Sequence, residues 1–191
     1  MKEIVFLVEG EAERCFLDTF LPRVLPKGIS YRVIPFQGKQ DMEKRMSMRI
    51  RGYLNPRARF LVLRDQDSHA DCVALKHSLL NRCIGTGREQ HCLVRIACTE
   101  LETFYLADLT AISQALNIPG LERQQLKSKF RDPDSLGSPS HELRTLTKNR
   151  YDKRGGSTQI GQCLALDNTR SPSFRNFVAG IQRLSAELLD A

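Results

Sequence analysis

Two short runs of apolar residues constrain the fold of this chain more than any other feature. They are Ile4 to Val8 and Phe60 to Leu63, and neither contains a polar residue. A strand with one wet face alternates apolar and polar residues, whereas a strand in a parallel sheet covered on both faces is apolar throughout. The two runs therefore predict buried strands of a parallel sheet.

Acidic residues follow both runs. Glu9 comes directly after the first run, and Asp65 and Asp67 come just after the second. In open α/β sheets, ligands bind at the carboxyl ends of the strands, so we expect these three acids to meet at that edge. Converging carboxylates repel one another unless a cation lies between them, and oxygen ligands without thiolate or imidazole partners favour Mg²⁺ or Mn²⁺. The alternatives are a turn-exposed carboxylate at Glu9 and simple salt bridges at the two aspartates.

Strand and helix signals alternate four times along the first part of the chain. We predict strands near residues 4–8, 30–36, 60–63 and 91–97, and helices over 11–24, 41–54, 70–83 and from Thr99 onward. This order predicts an α/β fold of the Rossmann-like kind, with a mostly parallel, doubly wound sheet flanked by helices.

The pattern weakens beyond residue 117. Prolines and the Gly155-Gly156 pair break up a loop-rich stretch with short helical pieces, and Ser171-Pro172 is a good start for a closing helix. We therefore predict an α/β core over residues 1–116. A C-terminal elaboration, residues 117–191, packs on this core, so that the chain forms a single domain overall.

Composition narrows the class of protein. Hydrophobic residues make up 41% and charged residues 27% of the chain, as in ordinary globular domains. The longest apolar run is far too short to cross a membrane, and the chain begins with a strand pattern instead of a signal peptide, which predicts a cytoplasmic protein. The six cysteines include no Cys-x-x-Cys pair, so we expect reduced thiols and no structural zinc.

Basic residues concentrate in two segments on either side of the acidic centre. Residues 39–59 contain seven lysines and arginines against two acids, and residues 123–154 contain nine against four. This distribution suits a polyanion such as nucleic acid, although a solvated surface or an acidic protein partner is the alternative. The residues that we expect to contact nucleic acid are Lys39, Arg64, Lys148, Arg150, Lys153 and Arg154. Arg64 has a second interpretation, in which it neutralises the neighbouring aspartates.

The pairing of Val-Glu-Gly-Glu-x-Glu with a later Asp-x-Asp resembles the Toprim domain of primases, topoisomerases, OLD-family nucleases and M5-type ribonucleases. This resemblance covers residues 1 to about 97. A second resemblance, to a bacterial family of Toprim-like proteins of unknown function, spans nearly the whole chain. Its motifs are Leu63-Arg64-Asp65-Gln66-Asp67, Asp71-Cys72, residues 100–108, Tyr151-x-Lys153 and Ser171-Pro-Ser-Phe174.

The resemblance implies particular roles for the acids. The Toprim glutamate falls on Glu9 and the metal-binding aspartates on Asp65 and Asp67, while Glu102 or Glu100 takes the place of the acid that helps to hold a second metal. The alternative role for Glu102 is a helix capping box with Thr99. The resemblance also implies an ABC- or OLD-like ATPase partner and a role in defence against phage or mobile elements.

The leading functional hypothesis is metal-dependent hydrolysis of phosphodiester bonds in DNA or RNA, with Glu9, Asp65, Asp67 and Glu102 as catalytic residues. The chief alternative is a non-catalytic subunit that keeps a Toprim scaffold and binds an ATPase or nucleic acid. A glycosyltransferase would need a sugar-binding half, and a receiver domain would need a lysine after a fifth strand. A polymerase would need a template-binding domain. The sequence decides neither the type of nucleic acid nor the oligomeric state.

Overall fold

Among the described residues, four strands form one sheet at the centre of the molecule. The structure is a computed structural model that describes residues 1–168 and 170–190. Its strands are β1 (Glu3–Val8), β2 (Ser30–Pro35), β3 (Arg59–Asp65) and β4 (Cys92–Ala97). They lie in the order β2-β1-β3-β4, and all neighbours are parallel. The chain thus leaves β1 towards one side and returns to the other, which makes the carboxyl edge between β1 and β3 a topological switch point.

In the part of the chain that the structure describes, eight α-helices surround this sheet. They are α1 (Glu11–Val24), α2 (Lys39–Arg51), α3 (Cys72–Cys83), α4 (Glu102–Leu106), α5 (Leu109–Ala115), α6 (Pro139–Leu146), α7 (Gly155–Cys163) and α8 (Pro172–Leu189). Short 3-10 helices occur at Glu89–His91, Leu121–Leu126, Ser128–Phe130 and Pro133–Ser135.

The strands send alternate side chains to the two faces of the sheet, and each face has its own core. Phe6 and Leu61 belong to the core that contains the aromatic residues of α1 and α8, whereas Val5 and Val62 belong to the core of α2 and α3. Complete burial of one such side chain contributes about 1.5–3 kcal/mol relative to exposure. Because both faces are covered in this way, the strands need apolar residues at nearly every position.

Most sequence expectations about the elements are confirmed. The predicted α/β class is correct, and α1 spans the residues that its pattern indicated. Ser171 caps α8, since its hydroxyl accepts the backbone N–H of Phe174 at 3.0 Å. The described cysteines are all free thiols. Within residues 1–168 and 170–190, no helix has the length and apolarity that a membrane crossing requires.

The expected capping box at Thr99 is wrong. Thr99 lies in the left-handed region with φ of 64°, and its hydroxyl donates to the carbonyl of Leu136 at 2.9 Å. The helix begins only at Glu102, whose carboxylate accepts a hydrogen bond from Tyr151. Long-range contacts with the C-terminal part of the chain thus replace the local cap.

The C-terminal part packs against the sheet and against α1. Helix α8 contacts β1, β3 and β4, while α7 lies along α1. The boundary that we placed at residues 116 and 117 stays a prediction, as does the single-domain organisation.

Candidate functional site

Glu9 connects the ends of the two central strands. It follows β1, and the paired register sets Val8 beside Leu63 of β3. Glu9 Oε1 accepts the backbone N–H of Asp65 at 2.8 Å and Arg64 Nη1 at 2.7 Å. The first predicted site residue is therefore held by the strand that carries the others.

Arg64 lies inside the site. It is only 1% exposed, and its Nη1 donates to Glu9 Oε1, to Asp67 Oδ2 at 2.9 Å and to the carbonyl oxygen of Asp65. Its Nη2 lies 3.7 Å from Glu43 Oε1 of α2. We expected a nucleic-acid contact from Arg64, but this burial matches the alternative interpretation, in which it neutralises neighbouring acids. Sequence reasoning had a signal for it, because a charge within an apolar strand run needs a partner.

Asp65 lies on the other side of the sheet from Arg64. Leu61 and Leu63 face α1 and α8, while Val62 faces α2 and α3. The same alternation sends Arg64 towards α2 and Asp65 towards α1. The carboxylate of Asp65 accepts no hydrogen bond from any residue that the structure describes. The charges that act on it most strongly are other carboxylates.

These carboxylates shift one another's protonation. Burial raises the pKa of Asp65 well above its usual value, and the charges of Glu13, Glu9 and Glu102 raise it further. Burial likewise raises the pKa of Glu9, Glu13 and Glu102. Asp67 differs, because hydrogen bonds from Arg64 and Lys39 outweigh the effect of burial and lower its pKa. Acids with raised pKa values at a sheet edge mark a place where a cation would be stabilised.

Sequence reasoning missed Glu13 as a member of this cluster. The structure buries Glu13 on the side of α1 that carries Phe16, Leu17 and Phe20. The sequence did contain a signal, because Glu13 lies three, four and seven residues before the apolar core positions Phe16, Leu17 and Phe20 and so shares their helix face. Glu13 contributes directly to the raised pKa of Asp65.

Glu102 and Glu100 have different environments. Glu102 is buried, and its Oε1 accepts the hydroxyl of Tyr151 at 3.0 Å, which in turn lies 3.3 Å from the hydroxyl of Ser157. Glu100 instead accepts the backbone N–H of Ser140 at 2.7 Å, in the first turn of α6. Of the two candidates, Glu102 is the one whose charge raises the pKa of Asp65, while Glu100 caps a helix.

The remaining basic candidates lie on the surface, and two of them, Lys39 and Lys153, act on acids of the site. Lys39 Nζ lies 3.1 Å from Asp67 Oδ2, and Arg150 donates to the carbonyl of Asn117 at 3.2 Å. Lys148, Lys153 and Arg154 are exposed. Burial raises the pKa of Glu102, and the positive charge of Lys153 opposes this effect. Their contact with nucleic acid stays a prediction.

The donor chemistry of the site fits a hard divalent cation, but the expected geometry is not formed. All available donors are carboxylate oxygens, and Asp65 is free to bind. Across residues 1–168 and 170–190, however, no group of three or more His, Cys, Asp or Glu side chains is arranged to hold a metal ion. We expected Glu9, Asp65 and Asp67 to surround one ion. Instead, Arg64 occupies the place between Glu9 and Asp67.

Fold and site together define a doubly wound α/β protein with clustered acids at the switch point of a parallel sheet. More particularly, the chain belongs to the family described as domain of unknown function DUF4276, whose model matches residues 8–182. A comparison with curated proteins finds no match.

Two solved structures share this fold. The C-terminal region of the OLD protein from Burkholderia pseudomallei is 19% identical, with a TM-score of 0.53 over 97% of this chain and 99% of that one. The corresponding region from Xanthomonas campestris pv. campestris is 17% identical, with a TM-score of 0.51 over 98% of each chain. At such identities the likeness establishes the fold alone. It agrees with the α/β architecture that the sequence predicted.

Proposed function

We propose that this protein hydrolyses phosphodiester bonds in nucleic acid with the help of Mg²⁺ or Mn²⁺. The observation that carries the proposal is the carboxylate of Asp65, which lies among other acids at the switch point and accepts no hydrogen bond from the described residues. Such an arrangement is electrostatically unfavourable without a cation, and phosphates attract the same ions.

Three acids would hold the ion only after their side chains converge, since the described residues contain no ready-made group of three metal ligands. Asp65, Glu13 and Glu102 influence one another's charge, and none of them forms an ion pair with a described residue. Once bound, a divalent ion would lower the pKa of a water molecule and would stabilise the negative charge that develops on the phosphoryl oxygens. Tyr151 orients Glu102 through its hydroxyl.

Glu9 is suited to accept the proton of the attacking water. Its Oε1 receives both hydrogen bonds, from Arg64 and from the backbone of Asp65, and these leave Oε2 available. Burial raises the pKa of Glu9, which strengthens it as a base. The two bonds to Oε1 also fix the direction of the free oxygen.

Exposed cations near the edge would bind the phosphate backbone. Lys39, Lys153 and Arg154 lie on this part of the surface, with Lys148 and Arg150 in the loop before Tyr151. The shared fold with C-terminal regions of OLD proteins supports a nuclease-type assignment. Because those regions belong to longer proteins, we further propose that an OLD- or ABC-like ATPase works with this chain in defence against phage or mobile elements.

One observation favours a non-catalytic alternative. Arg64 balances Glu9 and Asp67 without any metal, as expected of a scaffold that has lost its reaction and serves as a binding subunit. Activity measurements separate the two functions.

The test is cleavage of labelled DNA and RNA in the presence of Mn²⁺. Asp65→Asn should reduce the rate by at least about a hundredfold, because several kcal/mol of charge stabilisation depend on the ion. Asp18→Asn, which changes an exposed acid on α1, is the matched control and should cleave normally. Equal rates for wild type and Asp65→Asn would assign the activity to another source and support the binding-subunit alternative.

A further inference from the structure

Two cysteine side chains meet at the carboxyl edge of the sheet. Cys72 is the first residue of α3, and Cys98 directly follows β4. Because α3 connects the parallel neighbours β3 and β4, it runs back along them, and its first turn lies at the end of β4. The thiol of Cys98 donates a hydrogen bond to the sulfur of Cys72, and both residues are free thiols.

A second pair of thiols lies at the opposite end of the same helix. Cys83 ends α3, Cys92 begins β4, and their side chains are hydrogen-bonded to each other. Cys83 is only 2% exposed and belongs to the core that contains α2 and α3. Helix α3 is thus joined to β4 by a thiol contact at each end, and the contact at Cys83 is closed off by the core.

The contact between Cys72 and Cys98 is accessible from solvent. Both residues are partly exposed, and both line a cavity of about 440 Å³ between α3, β4 and α8. Lys76 and Arg95 also line this cavity and give it positive charge. The acid of the cavity, Asp134, accepts hydrogen bonds from the start of α8. A small anionic molecule can therefore approach the two thiols.

We propose that Cys72 and Cys98 form an oxidisable dithiol, which a small anionic disulfide of the glutathione class converts into an intramolecular disulfide in the folded protein. In the first step the sulfur of Cys72 attacks the oxidant, whose S–S bond breaks and releases one glutathione. In the second step Cys98 attacks the sulfur of Cys72 and releases the other glutathione. Each departing glutathione takes up the proton that a protein thiol has lost, so two protein thiols are oxidised while one disulfide is reduced to two thiols.

The surroundings of the two thiols set the order of these steps. Burial and the negative charge of Asp134 raise the pKa of Cys98 to about 12, so Cys98 keeps its proton while Cys72 makes the first attack. Once glutathione is attached to Cys72, the neighbouring sulfur of Cys98 is already in place for the second step. This proximity favours closure of the disulfide over the addition of a second glutathione.

The disulfide would join the two segments that follow β3 and β4. The backbone N–H of Asp67 donates to the carbonyl of Thr99 at 2.8 Å, directly beside Cys98. Cys72 begins the helix that follows the loop containing Asp67. The modification therefore lies next to the acids of the candidate site, but its chemistry needs neither a metal nor nucleic acid and is independent of the proposed function.

The test is incubation of the whole folded chain with glutathione disulfide, followed by alkylation of free thiols, digestion and mass spectrometry without reduction. The wild type should lose two hydrogen atoms and yield peptides linked through Cys72 and Cys98, which dithiothreitol should separate. Cys98→Ser should instead retain one glutathione on Cys72, because no neighbouring thiol displaces it. The matched control is Cys15→Ser, which removes a partly exposed thiol of α1 and should form the link as the wild type does.

The peptide map of the wild type decides the question even if a variant does not fold. Four results would each overturn the proposal. They are a link that forms only after unfolding in urea, a link from Cys72 to a different cysteine in the folded chain, stable addition of glutathione to Cys72 without closure, and the absence of any reaction at Cys72.

Discussion

Neighbouring residues of β3 have opposite electrostatic environments. Arg64 donates to two carboxylates, whereas the next residue, Asp65, is surrounded by carboxylates that raise its pKa. The alternation of side chains along the strand is sufficient to cause this difference, because it sends the two residues to different faces. Adjacent residues of one strand thus differ in whether their charge is compensated by a neighbouring side chain.

The raised pKa of Asp65 predicts an unusual dependence of stability on pH. In the metal-free protein, Asp65 keeps its proton at pH values where the unfolded chain has already lost it, so stability should fall as pH rises above the ordinary aspartate pKa. Asp67, with a lowered pKa, acts in the opposite direction and loses its stabilising effect only as pH falls below its ordinary range. Each pKa unit corresponds to about 1.4 kcal/mol.

Thermal unfolding in a chelator at several pH values measures this effect. In Asp65→Asn the melting temperature should decline less steeply as pH rises, because the asparagine amide does not titrate. The decline in melting temperature that remains in this variant should come from Glu13 and Glu102, whose pKa values are also raised by burial. Identical pH profiles for the two proteins would show that Asp65 titrates normally.

At the level of elements, the start of α7 positions one acid of the site. Tyr151 precedes this helix, and its ring lies against Gly156 in the first turn, where a Cβ atom would lie 2.4 Å from Tyr151 Cδ2. The hydroxyl of the same tyrosine donates to Glu102 of α4. Because Gly156 has no side chain, the ring of Tyr151 has room to lie where its hydroxyl reaches the buried carboxylate of Glu102. The Tyr151-x-Lys153 motif lies in this segment.

Gly156→Ala should therefore damage both stability and Mn²⁺ binding. The added methyl group forces the Tyr151 ring to move, at a cost of about 1–3 kcal/mol, and Glu102 loses its hydrogen bond. The matched control is Gly137→Ala, since a Cβ atom there meets nothing within 4 Å. Chemical denaturation and Mn²⁺ titration of both variants measure the two effects, and Tyr151→Phe separates them by removing only the hydroxyl. Unchanged Mn²⁺ affinity in both Gly156→Ala and Tyr151→Phe would remove Tyr151 from the site.

At the scale of the whole molecule, the basic and acidic parts of the surface have separate roles. The chain has a net charge of +7, yet acids cluster at the carboxyl edge of the sheet. Changes to the basic residues should therefore weaken nucleic-acid binding, whereas changes to the acids should reduce cleavage. Lys153 and Arg154 are exposed on the segment that leads to α7, beside this edge. Lys27 and Arg57 are equally exposed but precede β2 and β3, at the opposite edge.

This separation predicts different salt dependences for two double variants. Replacing Lys153 and Arg154 by alanine should weaken nucleic-acid binding and lower the log-log salt slope by about 0.7–0.9 for each lost phosphate contact. Replacing Lys27 and Arg57 changes the net charge equally and should leave the slope unchanged. Titrations of labelled DNA and RNA at several salt concentrations measure both. Equal slopes for the two variants would indicate that the net charge, and not this surface, drives binding.

The sequence by itself determined the class of fold and the position of the site. Uniformly apolar strands, helical periodicity and well-placed caps are local patterns, and they were enough to predict β1, α1 and α8 and the edge at which Glu9 and Asp65 meet. Such patterns involve residues that are close together in the sequence, so they can be recognised without the tertiary structure.

Tertiary structure alone decided which charges are paired. Arg64 and Glu9 are 55 residues apart in sequence, Tyr151 and Glu102 are 49 apart, and Glu100 and Ser140 are 40 apart. Each pairing depends on strand register and on how the C-terminal helices pack. The sequence offers each cation several candidate acids, so it does not determine which of them pair. For this reason the sequence placed the acids at one edge, while only the folded chain shows that Arg64 compensates Glu9 and Asp67 and that Asp65 has no such partner among the described residues.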